Sequence, residues 1–161
     1  MAWIEIPDTD VDVGSYCRED LVFQRLRNNL RELRRGLFPW IFAEKSTTSA
    51  TFVTLTGTSV ELPIPNLGAY TGLVRKVRIV LDVKISGGGT GEYRLREAVS
   101  GNTGTAVTGI TATSYTPQTL EIDIDASWLD TVRTFEVQAR KLSGGTAFAQ
   151  APNRIAGTVF Y

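Results

Sequence analysis

Histidine is absent from this 161-residue chain, and cysteine occurs once, at Cys17. Without histidine there is no Ser-His-Asp arrangement, no common general base and no ordinary zinc set. A single thiol makes no intrachain disulfide, so a secreted disulfide scaffold is excluded. Apolar runs of ~18 residues, the length a membrane helix needs, are missing as well. The first residues, Met-Ala-Trp-Ile-Glu-Ile-Pro, lack the basic and apolar regions of a signal peptide, so no secretion leader is expected. Net charge is missing too: 17 basic residues balance 17 acidic ones, which gives the whole chain no bias toward nucleic acid or membrane.

What is present is unevenly distributed. Residues 18–37 form the one stretch that reads firmly as a helix. Phe23, Leu26, Leu30, Leu33 and Leu37 step by three, four, three and four, the a/d seam of a coiled coil. Arg25, Arg27, Arg31, Glu32, Arg34 and Arg35 occupy its other faces. So narrow an apolar stripe needs a partner, either this chain's own β region or copies of the same helix. Two to three heptads are too few to stand alone. Spacing alone leaves both partners open; an extended arm, a short a/d helix and a β sandwich together make a homotrimer joined through Phe23, Leu26, Leu30, Leu33 and Leu37 the expected form.

Upstream, Trp3, Ile4 and Ile6 make a short extended arm ending at Pro7. Asp8, Asp10, Asp12 and Glu19 then follow at spacings like those of an EF-hand calcium loop, with hard oxygens at alternate positions and a closing glutamate. The glycine falls one place late, at Gly14, and no helix precedes the loop. The stretch is therefore read as a solvated connector, and no metal or cofactor is expected.

After the helix, Phe38, Trp40, Ile41 and Phe42 form an aromatic knot, read as a plug joining helix to β core. From residue 46 the composition turns to Thr, Ser, Gly and Val. Candidate strands are 51–56, 59–64, 74–85, 92–99, 109–114, 120–125, 134–142 and 157–161. The clearest is 77–85, whose odd positions are all apolar while Arg78, Asp82 and Lys84 face the other way. Glu121, Asp123 and Asp125 likewise share one face of a strand opposite Leu120, Ile122 and Ile124, and read as the wet side of a sheet. Residues 127–130 are read as one turn over the end of the core. About eight short strands argue for an antiparallel β-sandwich or jelly roll. The expected fold is mainly β, with residues 1–45 as arm and helix and 46–161 as the sandwich.

The segment Trp3-Ile-Glu-Ile-Pro7, the turn Asp8-Thr-Asp-Val-Asp-Val-Gly-Ser15 and the run Arg25-Leu26-Arg27-Asn28-Asn29-Leu30 resemble a segment recurring in tailed-bacteriophage virion proteins. Those open with a D-x-D-x-G-S turn, followed by a helix with a [KR]-[IL]-[RK]-[DN]-N-[LF] signature. This sequence departs in having Ser15-Tyr16 where Ser-Pro is common, and in a helix start one residue longer. The resemblance covers about the first 40 residues. It implies a non-enzymatic structural component located in the virion: a head decoration or capsid fibre protein, or a small tail-fibre subunit. Attachment to capsid or tail proteins would run through Trp3, Ile4, Ile6, Arg25, Arg27 and Arg31, with no nucleic acid and no membrane as partner. The alternative is a carbohydrate-binding host-recognition module taking a host glycan. That reading needs the loops at 87–91, 100–105 and 143–146 together at one end of the sandwich.

Overall fold

The computed structural model describes residues 38–64 and 75–160. The arm, the Asp8 to Glu19 connector, Cys17, the leucine seam and the arginines of residues 18–37 lie outside the described residues, as does Tyr70.

Among the described residues nine strands follow one another: β1 (Phe38–Thr47), β2 (Val53–Thr54), β3 (Val60–Ile64), β4 (Arg75–Ile85), β5 (Thr90–Glu97), β6 (Val107–Ile110), β7 (Thr116–Asp123), β8 (Thr131–Ser143) and β9 (Ala147–Phe160). They make two antiparallel sheets. The first runs β1-β9-β4-β7, and the second β2-β8-β5-β6, with β3 also on β8. β2 meets Gln138 and Ala139 of β8, and β3 meets residues 131–135, so the two short strands share one edge of β8. Every connection except β2 to β3 and β5 to β6 passes from one sheet to the other.

The core lies between the sheets. Val77, Ile79, Leu81, Val83 and Ile85 of β4 are each fully buried, as their alternation requires. They meet Leu120 and Ile122 of β7, Tyr93 and Leu95 of β5, and Phe135, Val137 and Ala139 of β8. Each large aliphatic buried this way contributes about 1.5–3 kcal/mol. β9 presents Ala147, Ala149 and Ala151 inward. These small side chains leave room for Tyr93 to cross the core from the opposite sheet. Its hydroxyl donates to the Lys84 carbonyl on β4 at 2.8 Å and to the Phe148 carbonyl on β9 at 3.0 Å. Trp128 is buried on a 3-10 turn, Ala126–Trp128, and meets Phe135 edge-on at 5.9 Å.

Three expectations change. The aromatic knot is not a plug but the start of β1, an edge strand paired with β9; Trp40 and Phe42 are buried and Ile41 is 65% exposed. The compositional change at residue 46 falls inside that strand, whose residues 38–45 pair with β9 as the later ones do. The strand expected at 157–161 is the end of β9, which starts ten residues earlier and bends at Pro152 and Asn153 (φ 57°). Proline lacks the N–H a ladder needs. Pro152 sits where the β4 and β9 registers slip, and Pro39, Pro63 and Pro117 sit on edge strands.

Candidate functional site

The three loops required for a sugar-binding tip do not meet. Residues 86–89 and 144–146 interlock, with Ser86 and Thr146 exchanging hydrogen bonds. A Cβ on Gly145 would stand 1.6 Å from the Ser86 carbonyl oxygen, so glycine is required there. Residues 100–105 belong to the other end of β5. There, Glu97 accepts from the Ser100 N–H at 2.5 Å and from its hydroxyl at 2.6 Å. Glu97 is fully buried, and its other oxygen has only Arg133 nearby, at 3.9 Å. Burial raises its pKa, but the Ser100 bonds more than reverse that and hold the carboxyl below its ordinary value.

Both outer faces carry charge ladders, because antiparallel register sets the outward residues of neighbouring strands side by side. On the β4 sheet, Arg78 and Lys76 flank Glu121, the Arg78 guanidinium at 2.5 Å and the Lys76 amine at 3.3 Å. Burial lifts the Glu121 pKa, but these two cations hold it below the usual range. Lys76 also reaches Asp123 at 3.5 Å. The carboxylate face expected of β7 holds for Glu121 and Asp123, whose mutual repulsion is relieved from β4, whereas Asp125 lies past the end of the strand. Further along, Asp82 pairs with Arg154. At the far end Lys84 lies over the rings of Tyr115 and Phe148 and 3.1 Å from Glu44, which also accepts from the Tyr115 hydroxyl. Those two bonds, Tyr115 first, depress the Glu44 pKa. Of the scattered aromatics, Tyr93 and Trp128 are core, whereas Tyr115 and Phe148 are half-buried on this ladder.

The β5 and β8 sheet places Glu92 opposite Arg140, Arg94 opposite Gln138 and Arg96 opposite Glu136. Arg140 holds Glu92 at 2.6–2.7 Å, and Arg96 holds Glu136 at 3.1 Å. Arg94 donates through Nε to the Gln138 amide oxygen at 2.8 Å. Phe52 covers this row, its ring centroid 4.0 Å from the Arg94 guanidinium carbon and 4.5 Å from that of Arg140.

A groove of about 650 Å³ runs beside β7, lined by Asn102, Thr103, Thr105, Thr119, Asp123 and Asp125 among others. Gly104 forms part of its wall, packed so closely that an added Cβ would stand 1.8 Å from the Glu121 carbonyl oxygen. Asp125 caps the 3-10 turn through Ser127, and those bonds lower its pKa. Among the described residues no group of three or more His, Cys, Asp or Glu side chains is placed to hold a metal ion. The metal, attachment and association residues named from the sequence all precede residue 38, outside the described residues.

No family model matches the chain, and no curated protein matches it. It is similar to chains in two solved structures of infectious bursal disease virus. For the Gt strain the TM-score is 0.45 at 13% identity, covering 76% of this chain and 32% of that one. For the Gx strain it is 0.43 at 17%, covering 76% and 31%. The chain spans about a third of the length of those viral chains.

Proposed function

We propose that the protein is a non-enzymatic structural component of a phage virion, a head decoration, capsid fibre or small tail-fibre subunit. Its β body is a jelly roll held on the particle by the amino-terminal segment. Strand order supports the jelly roll. Counting β2 and β3 as one interrupted strand leaves eight, with first, last, third and sixth in one sheet and second, seventh, fourth and fifth in the other. Jelly rolls serve both as viral capsid domains and as lectins, so the fold alone does not choose. The observation that carries the choice is the signature at Arg25 to Leu30 joined to a body whose ionisable side chains are largely spent on cross-strand pairs.

Imaging of whole particles tests it directly. Density for this chain on the particle, with residues 1–40 at the contact, is the expected result. Deletion of residues 1–12 should release the protein from particles while leaving the β body folded. Full retention after that deletion would remove the anchoring role. Purified protein should be a trimer by light scattering, and Leu30→Asp with Leu33→Asp should give monomers. A carbohydrate-binding role is the second reading, favoured by the hydroxyl- and carboxyl-lined groove beside β7. Binding of wild type on a glycan array, lost in Asp123→Ala with Thr103→Val, would replace the structural reading.

A further inference from the structure

On the outer row of β5 and β8 the sequence places an acid opposite Arg140 and an acid opposite Arg96, yet an amide opposite Arg94. Two of the three arginines are thus neutralised within the sheet and the middle one is not. Among the described residues, Gln138 is the hydrogen-bonding partner of Arg94, and it engages Nε alone. The two terminal nitrogens carry four of the five donors of a guanidinium, and the residue is half-buried rather than enclosed. Gln138 is itself held, by Thr54 at 3.5 Å, and Thr54 in turn reaches Glu136 at 3.4 Å. With Phe52 stacked over it, the Arg94 fork is fixed in place before any ligand arrives, which reduces the ordering cost of binding. Burial, then the like charges of Arg140 and Arg96, lower its pKa, so the local potential is positive; a guanidinium nevertheless stays charged.

We propose that Arg94, framed by Phe52, is the docking point for a carboxylate carried on an acidic segment of a partner protein. Charge complementarity selects that occupant. A planar fork with one unneutralised charge matches a carboxylate in two-point contact. Glu92 and Glu136 on either side are already paired within the sheet, so the row offers one cationic point, which suits a carboxylate better than the long run of phosphates of a nucleic-acid backbone. The surface is the face of a sheet, and small ligands need concavity; the described groove lies elsewhere, beside β7. The inference goes beyond the virion reading and does not depend on it.

The test uses the full chain, with a tetra-aspartate peptide as probe, calorimetric titration for the affinity of every variant and the Arg94 Nε–H resonance of wild type to locate the contact. The expected result is saturable binding that shifts this resonance and weakens with salt. Arg94→Gln should lose roughly tenfold in affinity, as removal of one charged hydrogen-bonding partner does. Arg94→Lys should lose less, and Lys76→Gln, on the other sheet, should bind as wild type does. Gln138→Glu supplies the missing carboxylate from within; it should block the peptide while leaving thermal stability equal or higher. Wild-type affinity in Arg94→Gln or Gln138→Glu would overturn the proposal, as would equal loss in Lys76→Gln. Tighter binding of 3′-sialyllactose than of the peptide would overturn the choice of a protein partner.

Discussion

Tyr93→Phe removes one oxygen atom from the centre of the molecule and nothing from its apolar packing. The lost hydroxyl shares its one proton between two backbone carbonyls, Lys84 on β4 and Phe148 on β9, from the opposite sheet. The side chain is fully buried, so water does not reach the site to replace it. A typical net hydrogen bond is worth about 1 kcal/mol, and a buried polar group left unpaired costs about 1–3 kcal/mol. Both carbonyls retain the option of ladder bonds, which places the expected loss near 2 kcal/mol. For a β body of this size that is a fall in Tm of roughly 5–8 °C. Tyr115→Phe is the matched control, because its hydroxyl meets Glu44 at the surface; its cost should stay within about 0.5 kcal/mol. Burial also holds the Tyr93 phenol protonated well above its usual pKa. Above pH ~10 the unfolded chain releases a proton that the folded chain keeps, so wild type loses about 1.4 kcal/mol per pH unit from this one group. Tyr93→Phe lacks that slope. The gap between the two proteins should therefore be widest near neutrality and narrow above pH 10. Urea unfolding followed by tryptophan fluorescence measures both. A neutral-pH difference under 0.5 kcal/mol, or a gap unchanged at pH 11, would refute the cross-sheet bond.

Other perturbations separate backbone, acid and ion-pair effects. Gly145→Ala should prevent folding or cost more than about 3 kcal/mol, since its Cβ meets the Ser86 carbonyl, whereas Gly88→Ala, with similar positive φ and open space around it, should cost about 1 kcal/mol by thermal melt. The depressed pKa of Glu97 adds stability that is fully present above the ordinary carboxylate pKa of ~4.3 and is lost as pH falls through the folded-state value; Glu97→Gln should flatten that acid limb in a melt series from pH 6 to 2. Asp82→Ala strands Arg154, whose Nε is already buried without a partner, and should cost about 2–4 kcal/mol, whereas Asp82→Leu with Arg154→Leu should cost less than that single change. Equal loss in the double variant would show that Asp82 acts through packing alone.

The parts of the fold that were legible are those whose pattern is local. Residues 77–85 alternate large apolar with charged side chains, and β4 follows. The carboxylates of β7 and the turn over Trp128 were legible for the same reason. β9 was hidden because its inward residues are alanines, which are depleted in strands. The signal was there in the alternation of Ala147, Ala149 and Ala151 with Phe148 and Gln150. β1 was hidden because Pro39 after a leucine seam reads as a helix stop, yet proline is equally at home on an edge strand. The Arg94 row was missed altogether. Its meaning lies in register: only when Glu92 meets Arg140 and Glu136 meets Arg96 does Gln138 stand out as the place where an acid is lacking.

Edges and faces together say how this β body meets a neighbour. An open strand edge is a template for pairing with any other chain, and stable proteins obstruct it. Here β1 carries Pro39, β3 carries Pro63, and β6 is four residues long. β7 begins at Thr116 and Pro117, and Gly104 presses against its backbone at Glu121. Backbone-mediated association is thus discouraged on both sheets. Among the described residues the outer faces offer no large apolar patch either: the large exposed hydrophobic residues Ile41, Val99, Val132 and Leu142 belong to different elements or opposite strand ends. What remains to distinguish one part of the surface from another is charge. The ladders cancel most of it within each sheet, which makes the few uncancelled positions, Arg94 foremost, the specific features a partner can read. Such a surface gives selectivity more readily than affinity.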